Sequence, residues 1–403
     1  MEKEMGAKKD KRLVREALTR SLSMVYPSVE AFEKELLSGR RLSFYFGIDP
    51  TSSHLHLGHA AGLWTLRRFQ DLGHKAILLI GDFTARVGDP TDKMAPRQPL
   101  TPKQIKENWK TFKKQVSRIL NFSGENAAQV RYNSEWFGKM KFEDFFKSLL
   151  GAFSVQNLLE RADFKKRLEE HKSIELREFI YPLLQGWDGR ELGVNVEIGG
   201  RDQIFNMNVG RAFRDQVWKD NFFVAVKLLV DSNTGKKLSK TEASLVNLDD
   251  SPGEMFGRVM AMPDGMISGV AELSTSMPLD EIRKLKEFDN PRDAKLALAF
   301  EVVKTYCSEK NAEKARKDWK KIFSERDVNN ADIPYLEVGK LPLLDVVLKT
   351  GVVKSKSEAR RLIAQGGVHV EGAALKDPHM APSFSGGETI RVGKRHFFRA
   401  KVK

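Results

Sequence analysis

Leu42-Ser43-Phe44-Tyr45-Phe46-Gly47-Ile48-Asp49-Pro50-Thr51, followed closely by His56-Leu57-Gly58-His59, decides how this chain is read. Leu42 to Ile48 is a short apolar run rich in aromatic residues, which predicts a strand. After the histidines, Ala61, Trp64, Phe69 and Leu72 fall on roughly one helical face, and Lys75 to Gly81 is a second strand-like run. Strand, helix, strand is the unit of a parallel sheet. Thr101-Pro102-Lys103-Gln104 then supplies a capping hydroxyl, a proline at the first helical position and a glutamine three residues on, which opens another helix. Strand candidates at Val194 to Ile198 and Phe222 to Val230 extend the pattern to an α/β fold with a doubly wound, mostly parallel sheet. Ligands of such sheets sit beyond the strand carboxyl ends, the place where His56 and His59 fall.

Past this region the pattern changes. From Ser251 to about Asn330 it is helical: Pro252-Gly253-Glu254 opens one helix, and Pro291 opens another with Leu296, Phe300 and Val303 on one face. Asp332 to Lys340 carries prolines and little periodicity, as a linker does. Leu341 to Lys403 then holds 12 Lys+Arg against five Asp+Glu, a net +7 that is half of the whole chain's +14. The expected boundaries are a sheet domain over 1–230, a mobile basic loop over 231–250, a helical domain over 251–331, a linker over 332–340 and a small α+β domain over 341–403.

Composition narrows the class. A chain of 403 residues, 41% hydrophobic and 30% charged, buries sizeable cores, and its length suits about two to three domains. The positive excess keeps the chain soluble, attracts a polyanion, or does both. No apolar run reaches spanning length, which argues against a membrane span. The start, MEKEMGAKKDKRLVREAL, lacks the apolar stretch of a secretion signal and carries acids that a transit peptide avoids, so a cytoplasmic location is expected. Cys307 is the single cysteine, which excludes an intramolecular disulfide and a cysteine-clustered metal site.

Two constellations carry chemistry. Where the first strand meets its helix, a helix amino terminus offers backbone N–H groups to phosphate; His56 and His59, one turn apart, add donors, and Gly58 lets a nucleotide approach. Taken alone, a His-x-Gly-His pair reads equally as a metal pair or as surface histidines. Thr234-Gly235-Lys236-Lys237-Leu238-Ser239-Lys240-Thr241 brings lysines and hydroxyls suited to charge growing on a leaving pyrophosphate, although such a run is also what a solvated linker looks like.

Together the two constellations resemble the paired signatures of class I aminoacyl-tRNA synthetases, and the residues between them narrow the resemblance to the tyrosyl-tRNA synthetase family of bacterial or organellar type. It runs from about residue 30 to the end and rests on Tyr45-x-Gly47-x-Asp49-Pro50-Thr51, Gly88-Asp89-Pro90, Tyr181-x3-Gln185-x2-Asp188 and Gly199-Gly200-x-Asp202-Gln203. The resemblance implies a Rossmann-like catalytic domain, a helical anticodon-recognition domain and an RNA-binding domain of the kind first described in ribosomal small-subunit protein four. It implies that Asp89, Tyr181 and Gln185 hold the α-ammonium of tyrosine while Tyr45 and Asp188 contact its phenol. On the nucleotide side it implies phosphate contacts from Thr51 and His56, the nucleoside end at Gly58 and His59, ribose hydroxyls on Asp202 beside Gly200, and Asp49 near the adenylate. Gln203 would meet the reacting carboxylate or phosphate, with Lys93, Arg97, Lys237, Lys240 and Thr241 around the pyrophosphate. ATP is then a substrate bringing Mg²⁺ on its phosphates, with no dedicated metal cage in the protein. The tRNA for tyrosine is the macromolecular partner.

Spacing supports part of this independently. Tyr181, Gln185 and Asp188 lie on one helical face, and polar groups on a buried face call for a polar ligand. In the basic tail, Lys354, Lys356, Arg360 and Arg361 can meet successive phosphates, though a solvated charged helix has the same spacing. The family works as a homodimer, and the insertion around Trp136 to Phe153, with Phe142, Phe145, Phe146 and Phe153, is the expected interface, unless those rings are monomer core. Three residues depart from the usual pattern: Arg201 after Gly200, Phe46 where a smaller residue is common, and Lys-Leu-Ser-Lys-Thr as the loop. The rival readings are a tRNA-independent adenylyltransferase, which does not need the tail, an RNA-binding protein that kept the fold without activity, and a tryptophan-specific relative. Intact His56, His59, Lys237, Lys240 and Asp89 argue against the second, and Tyr45 with Asp188 against the third.

Overall fold

The computed structural model describes residues 6–91, 100–215, 221–235, 245–323, 333–339, 341–353, 355–393 and 396–402. They fall into two compact units: residues 1–251 with 258–309, and residues 252–257 with 310–403. The helical stretch expected over 251–331 is therefore divided, most of it grouping with the sheet domain.

The first unit is built on a six-stranded sheet of β1 (Leu22–Tyr26), β2 (Ser43–Ile48), β3 (Lys75–Ile80), β4 (Gln129–Tyr132), β5 (Val196–Gly200) and β6 (Phe222–Val226). Their spatial order is β1-β6-β5-β2-β3-β4, with β1 antiparallel to β6 and the other pairs parallel. Order reverses between β2 and β5, so the chain winds outward both ways from that point. Sequence reading located β2, β3, β5 and β6 within a few residues, overran β6 to Val230, and missed β1 and β4, which are short edge strands with exposed or half-buried positions.

Strand β2 shows why the sheet needs cover on both sides. Successive side chains point to opposite faces. Phe44 stacks on Phe69 of the helix Leu57–Asp71 at 4.3 Å, while Tyr45, its neighbour, belongs to the opposite core with Leu183, Leu184 and Trp187 of the helix Leu176–Glu191. The helices expected from Thr101, Pro252 and Pro291 are present as Pro102–Trp109, Pro252–Met260 and Pro291–Tyr306, the first with Thr101 and Gln104 in a reciprocal capping box.

The second unit holds a five-stranded sheet of β7 (Tyr335–Val338), β8 (Val368–Val370), β9 (Ala373–Leu375), β10 (Thr389–Val392) and β11 (His396–Val402), in the order β7-β11-β10-β8-β9. The segment read as a linker is thus not wholly one: β7 pairs in parallel with β11, burying Leu336 and Val338. Turns at Gly366-Gly367 and Glu371-Gly372 bracket β8; Glu371 (φ 48°) and Gly372 (φ 80°) both have the positive φ that a two-residue hairpin turn favours. Among the described residues no helix is long and apolar enough to cross a membrane.

Candidate active site

A cleft of about 340 Å³ opens in the first unit where strand order reverses, at the carboxyl ends of β2 and β5. One end is a corner of histidines. His56 is the N-cap of the helix Leu57–Asp71: its Nδ1 accepts from the Gly58 N–H at 3.2 Å, and the His56 N–H donates to His59 Nδ1 at 3.2 Å. With both Nδ1 atoms accepting, the ring proton of each neutral imidazole sits on Nε2. The two rings lie 3.9 Å apart, and Thr51, Gly58 and both histidines line the cleft. The chain following the basic loop returns to this corner, where Leu57 N–H donates to the Val246 carbonyl at 3.1 Å and Leu248 N–H to the Leu55 carbonyl at 2.8 Å.

The other end is a buried floor. Asp188 is 3% exposed and accepts from Trp136 Nε1 at 2.9 Å and from Asn133 Nδ2 at 3.2 Å. Burial pushes its carboxyl well above the usual range, the two donors oppose that, and the charges of Asp49 and Glu197 add to it. Tyr45, 2% exposed, lines the same cleft. The Tyr181 hydroxyl donates to Asp49 Oδ2 at 3.1 Å, and Thr84 Oγ1 donates to Asp49 Oδ1 at 2.7 Å. Burial first, and the Asp49 charge second, raise the Tyr181 phenol well above its ordinary value, so it stays protonated and its oxygen keeps accepting capacity on the cleft side.

Between these ends Asp89 Oδ1 accepts from the Thr91 N–H at 2.9 Å, and its Oδ2 accepts from Gln203 Nε2 at 3.0 Å. Gln185 donates to Glu197 at 3.3 Å. Gly200 and Asp202 form the wall after β5, where a Cβ on Gly200 would lie 2.4 Å from Asp202 Oδ1. Phe46 is seated against Gly62, whose added Cβ would come within 2.3 Å of the ring, and Arg201 is exposed.

The structure therefore brings Tyr45, Asp49, Thr51, His56, Gly58, His59, Asp89, Tyr181, Gln185, Asp188, Gly200, Asp202 and Gln203 to one cleft. Lys93, Arg97, Lys237, Lys240, Thr241 and Lys354 lie outside the described residues. Lys356, Arg360 and Arg361 are exposed on the helix Lys356–Ala364 of the second unit. Of the insertion aromatics, Phe142 (77% exposed) and Phe146 (51%) face outward, whereas Phe145 and Phe153 pack against the core that contains Trp136.

Sequence reading missed Asn133, Thr84 and Glu197, and it read Trp136 as part of an interface. Asn133 follows the last residue of β4 and Trp136 lies one turn on, so the rule that ligands meet strand carboxyl ends pointed at them once β4 was known. Trp187 packs in the core.

Residues 37–324 match the family described as tRNA synthetases class I (W and Y), and residues 341–385 match the S4 domain. A tyrosine–tRNA ligase of Thermotoga maritima is 38% identical over 366 residues, covering 89% of this chain and 90% of the relative. One from Mannheimia succiniciproducens is 36% identical, covering 98% of this chain and all of its own length (100%). A C-terminally truncated mitochondrial tyrosyl-tRNA synthetase of Aspergillus nidulans superposes with a TM-score of 0.65 at 23% identity, covering 77% of this chain and 94% of that one. Fold, cleft and sequence converge, and the chain belongs to the class I tRNA synthetases of the W and Y group, with an S4 domain near its carboxyl end.

Proposed function

We propose that the chain is a tyrosine–tRNA ligase, which joins tyrosine to ATP as tyrosyl-adenylate with release of pyrophosphate and then passes tyrosine to a ribose hydroxyl at the 3′ end of its tRNA. The observation that carries this reading is the floor of the cleft: a buried carboxyl, Asp188, fixed by two donors and set with Tyr45 where a phenol can reach both. An apolar side chain there would leave polar groups unpaired. The relatives named tyrosine–tRNA ligase support the same substrate.

Asp89, Gln185 and the Tyr181 oxygen take the ammonium group; the Tyr181 hydroxyl donates its hydrogen bond to Asp49, which leaves its oxygen lone pairs for the substrate. The tyrosine carboxylate then attacks the α-phosphorus in line, and the bond to the β-phosphate breaks. Thr51 and the Nε2 protons of His56 and His59 suit phosphate oxygens, Asp202 suits ribose hydroxyls, and Gln203 sits beside the reacting carboxylate. The lysines of the basic loop, with Lys93 and Arg97, receive the charge on pyrophosphate. This is catalysis by positioning and by donors aimed at developing charge, with no covalent enzyme intermediate. Among the described residues the donors at the phosphate end are N–H and hydroxyl groups, which suit anions, and magnesium would arrive as the ATP chelate.

The exposed cations of the S4 segment suit tRNA phosphates, and the work belongs in the cytoplasm, where tRNA is charged. Phe142, Phe146, Val155, Leu168 and Leu176, all exposed in the first unit, suit a second copy of the chain. Sedimentation equilibrium should give a mass of two chains, reduced to one by Phe142→Glu with Phe146→Glu; an unaltered mass would place the interface elsewhere. The function is tested by ATP–pyrophosphate exchange with each of the twenty amino acids. Exchange with tyrosine alone is expected; exchange with tryptophan instead, or with none, would sink the reading.

A further inference from the structure

Arg161 is a buried cation that no role above explains. It precedes the helix Ala162–Glu169, is 4% exposed, and lies over the rings of Phe164 at 5.4 Å and Phe205 at 5.9 Å. Its Nε faces Asp163 Oδ2 at 3.3 Å, and its Nη2 donates to Thr91 Oγ1 and lies 3.9 Å from Asp89 Oδ1. Its Nη1 donates to Asn206 Oδ1 at 3.4 Å.

Asn206, 1% exposed, is the junction of two site residues. Its Nδ2 spends both protons on them, donating to Gln185 Oε1 at 2.9 Å and to Gln203 Oε1 at 2.8 Å. The glutamines therefore turn their own NH₂ groups outward, Gln185 to Glu197 and Gln203 to Asp89. The helices that carry Gln185 and Asn206 cross at Gly186 and Gly210, where a Cβ on Gly186 would lie 2.9 Å from the Gly210 nitrogen. That approach is backbone against backbone, so the junction depends on the glycine.

A carboxamide has a donor end and an acceptor end of nearly the same shape, so a chain of three amides can run in either direction unless its ends are fixed. Here they are fixed. A guanidinium only donates, and the carboxylates of Asp89 and Glu197 only accept, so a single direction satisfies every member. We propose that Arg161 and Asn206 are positioning residues of the amino-acid pocket, setting the orientation of the Gln185 and Gln203 carboxamides and holding Asp89 for the substrate ammonium group. The proposal rests on reading the cleft as a tyrosine site.

The test uses Asn206→Asp, which keeps the shape and loses both donated protons, and Arg161→Lys, which keeps the charge and stem and loses the fork. Each full-length variant is checked by circular dichroism and assayed by tyrosine-dependent pyrophosphate exchange. Two competitive inhibitors separate the ends of the substrate: tyramine has the ammonium without the carboxylate, and 3-(4-hydroxyphenyl)propionate has the carboxylate without the ammonium. For Asn206→Asp we expect the KM for tyrosine and the inhibition constant of tyramine to rise together by roughly 10- to 100-fold, the scale of a lost hydrogen bond to charge. The propionate constant should rise by a smaller factor, because Gln203 alone of the oriented groups meets the carboxylate, and the KM for ATP should not move. Arg161→Lys should shift the same pair by a smaller factor, and it decides the matter alone if Asn206→Asp fails to fold. Wild-type tyramine inhibition in a folded variant, or equal weakening of both inhibitors, would overturn the positioning role. A wild-type chain with no tyrosine-dependent exchange would overturn the function reading, and this proposal with it.

Discussion

The two ends of the cleft are built in opposite ways. The histidine corner is largely local: the hydrogen bonds of its two Nδ1 atoms join residues two and three apart, and the helix start nearly dictates them, with backbone bonds from Val246 and Leu248 added to Leu57 and Leu55. The floor is assembled from far parts of the chain, with bonds to Asp188 spanning 52 and 55 residues and the Tyr181 bond to Asp49 spanning 132. A local device survives as long as its helix does. A long-range device requires the whole packed core, so damage at a distance should reach the floor before it reaches the corner.

The buried pair of Arg167 and Glu178 tests that contrast most severely. Arg167 is fully buried, its Nη1 and Nη2 donate to the two Glu178 carboxylate oxygens, the second at 3.1 Å, and Glu178 lies in the first turn of the helix that carries Tyr181, Gln185 and Asp188. Removing one partner leaves an uncompensated buried charge, so Glu178→Ala should cost about 3–5 kcal/mol in urea denaturation. Arg167→Met with Glu178→Leu removes both charges and should cost much less. A double variant as unstable as the single one would show that the pair contributes attraction beyond mutual compensation.

Trp136→Phe probes the floor itself at smaller cost. The ring volume is mostly kept and one donor to a buried carboxyl is lost, a change of about 1.5–3 kcal/mol for a bond to a charged group and less for a neutral one. Because burial raises the Asp188 pKa, the effect should fall toward the lower end. The preference for tyrosine over phenylalanine in pyrophosphate exchange should narrow, with the KM for ATP unchanged. A KM for ATP that rises instead would show that the floor and the nucleotide end are not separable.

This contrast also explains what could be read from the sequence. The central strands, the Thr101 capping box, the proline-opened helices and the His56 corner were legible because each is specified within a few residues by periodicity or capping chemistry. The one-face spacing of Tyr181, Gln185 and Asp188 was legible for the same reason, whereas their partners were not. Asn133, Glu197, Asn206 and Arg161 come from separate segments, and only the sheet order and the glycine crossing bring them in. Family resemblance supplied the proposed roles of residues, such as Asp89 and Asp202, whose surroundings nothing in local pattern reveals. The strand β7 was illegible for a related reason: its pairing partner, β11, lies some sixty residues away and its own run is short.

The smallest effect on folding should come from His56→Asn. Asparagine is among the best N-cap residues, and its Oδ1 can accept from the Gly58 N–H as His56 Nδ1 does, so the helix start should lose no more than about 0.5 kcal/mol. The Nε2–H of the ring has no counterpart in asparagine, which is too short to reach a phosphate from the same cap. Under the proposed function the rate of adenylate formation should therefore fall by roughly 10- to 100-fold, the scale of one lost hydrogen bond to an anion, while the KM for tyrosine stays near the wild-type value. His56→Ala separates the two contributions, since it loses the cap as well and should cost about 0.5–2 kcal/mol in stability on top of the same rate loss. Urea denaturation and pre-steady-state adenylate formation measure the two quantities independently. An Asn variant that retains the wild-type rate would show that the ring serves only to start the helix, and the corner would then be structural while the floor alone carried the chemistry.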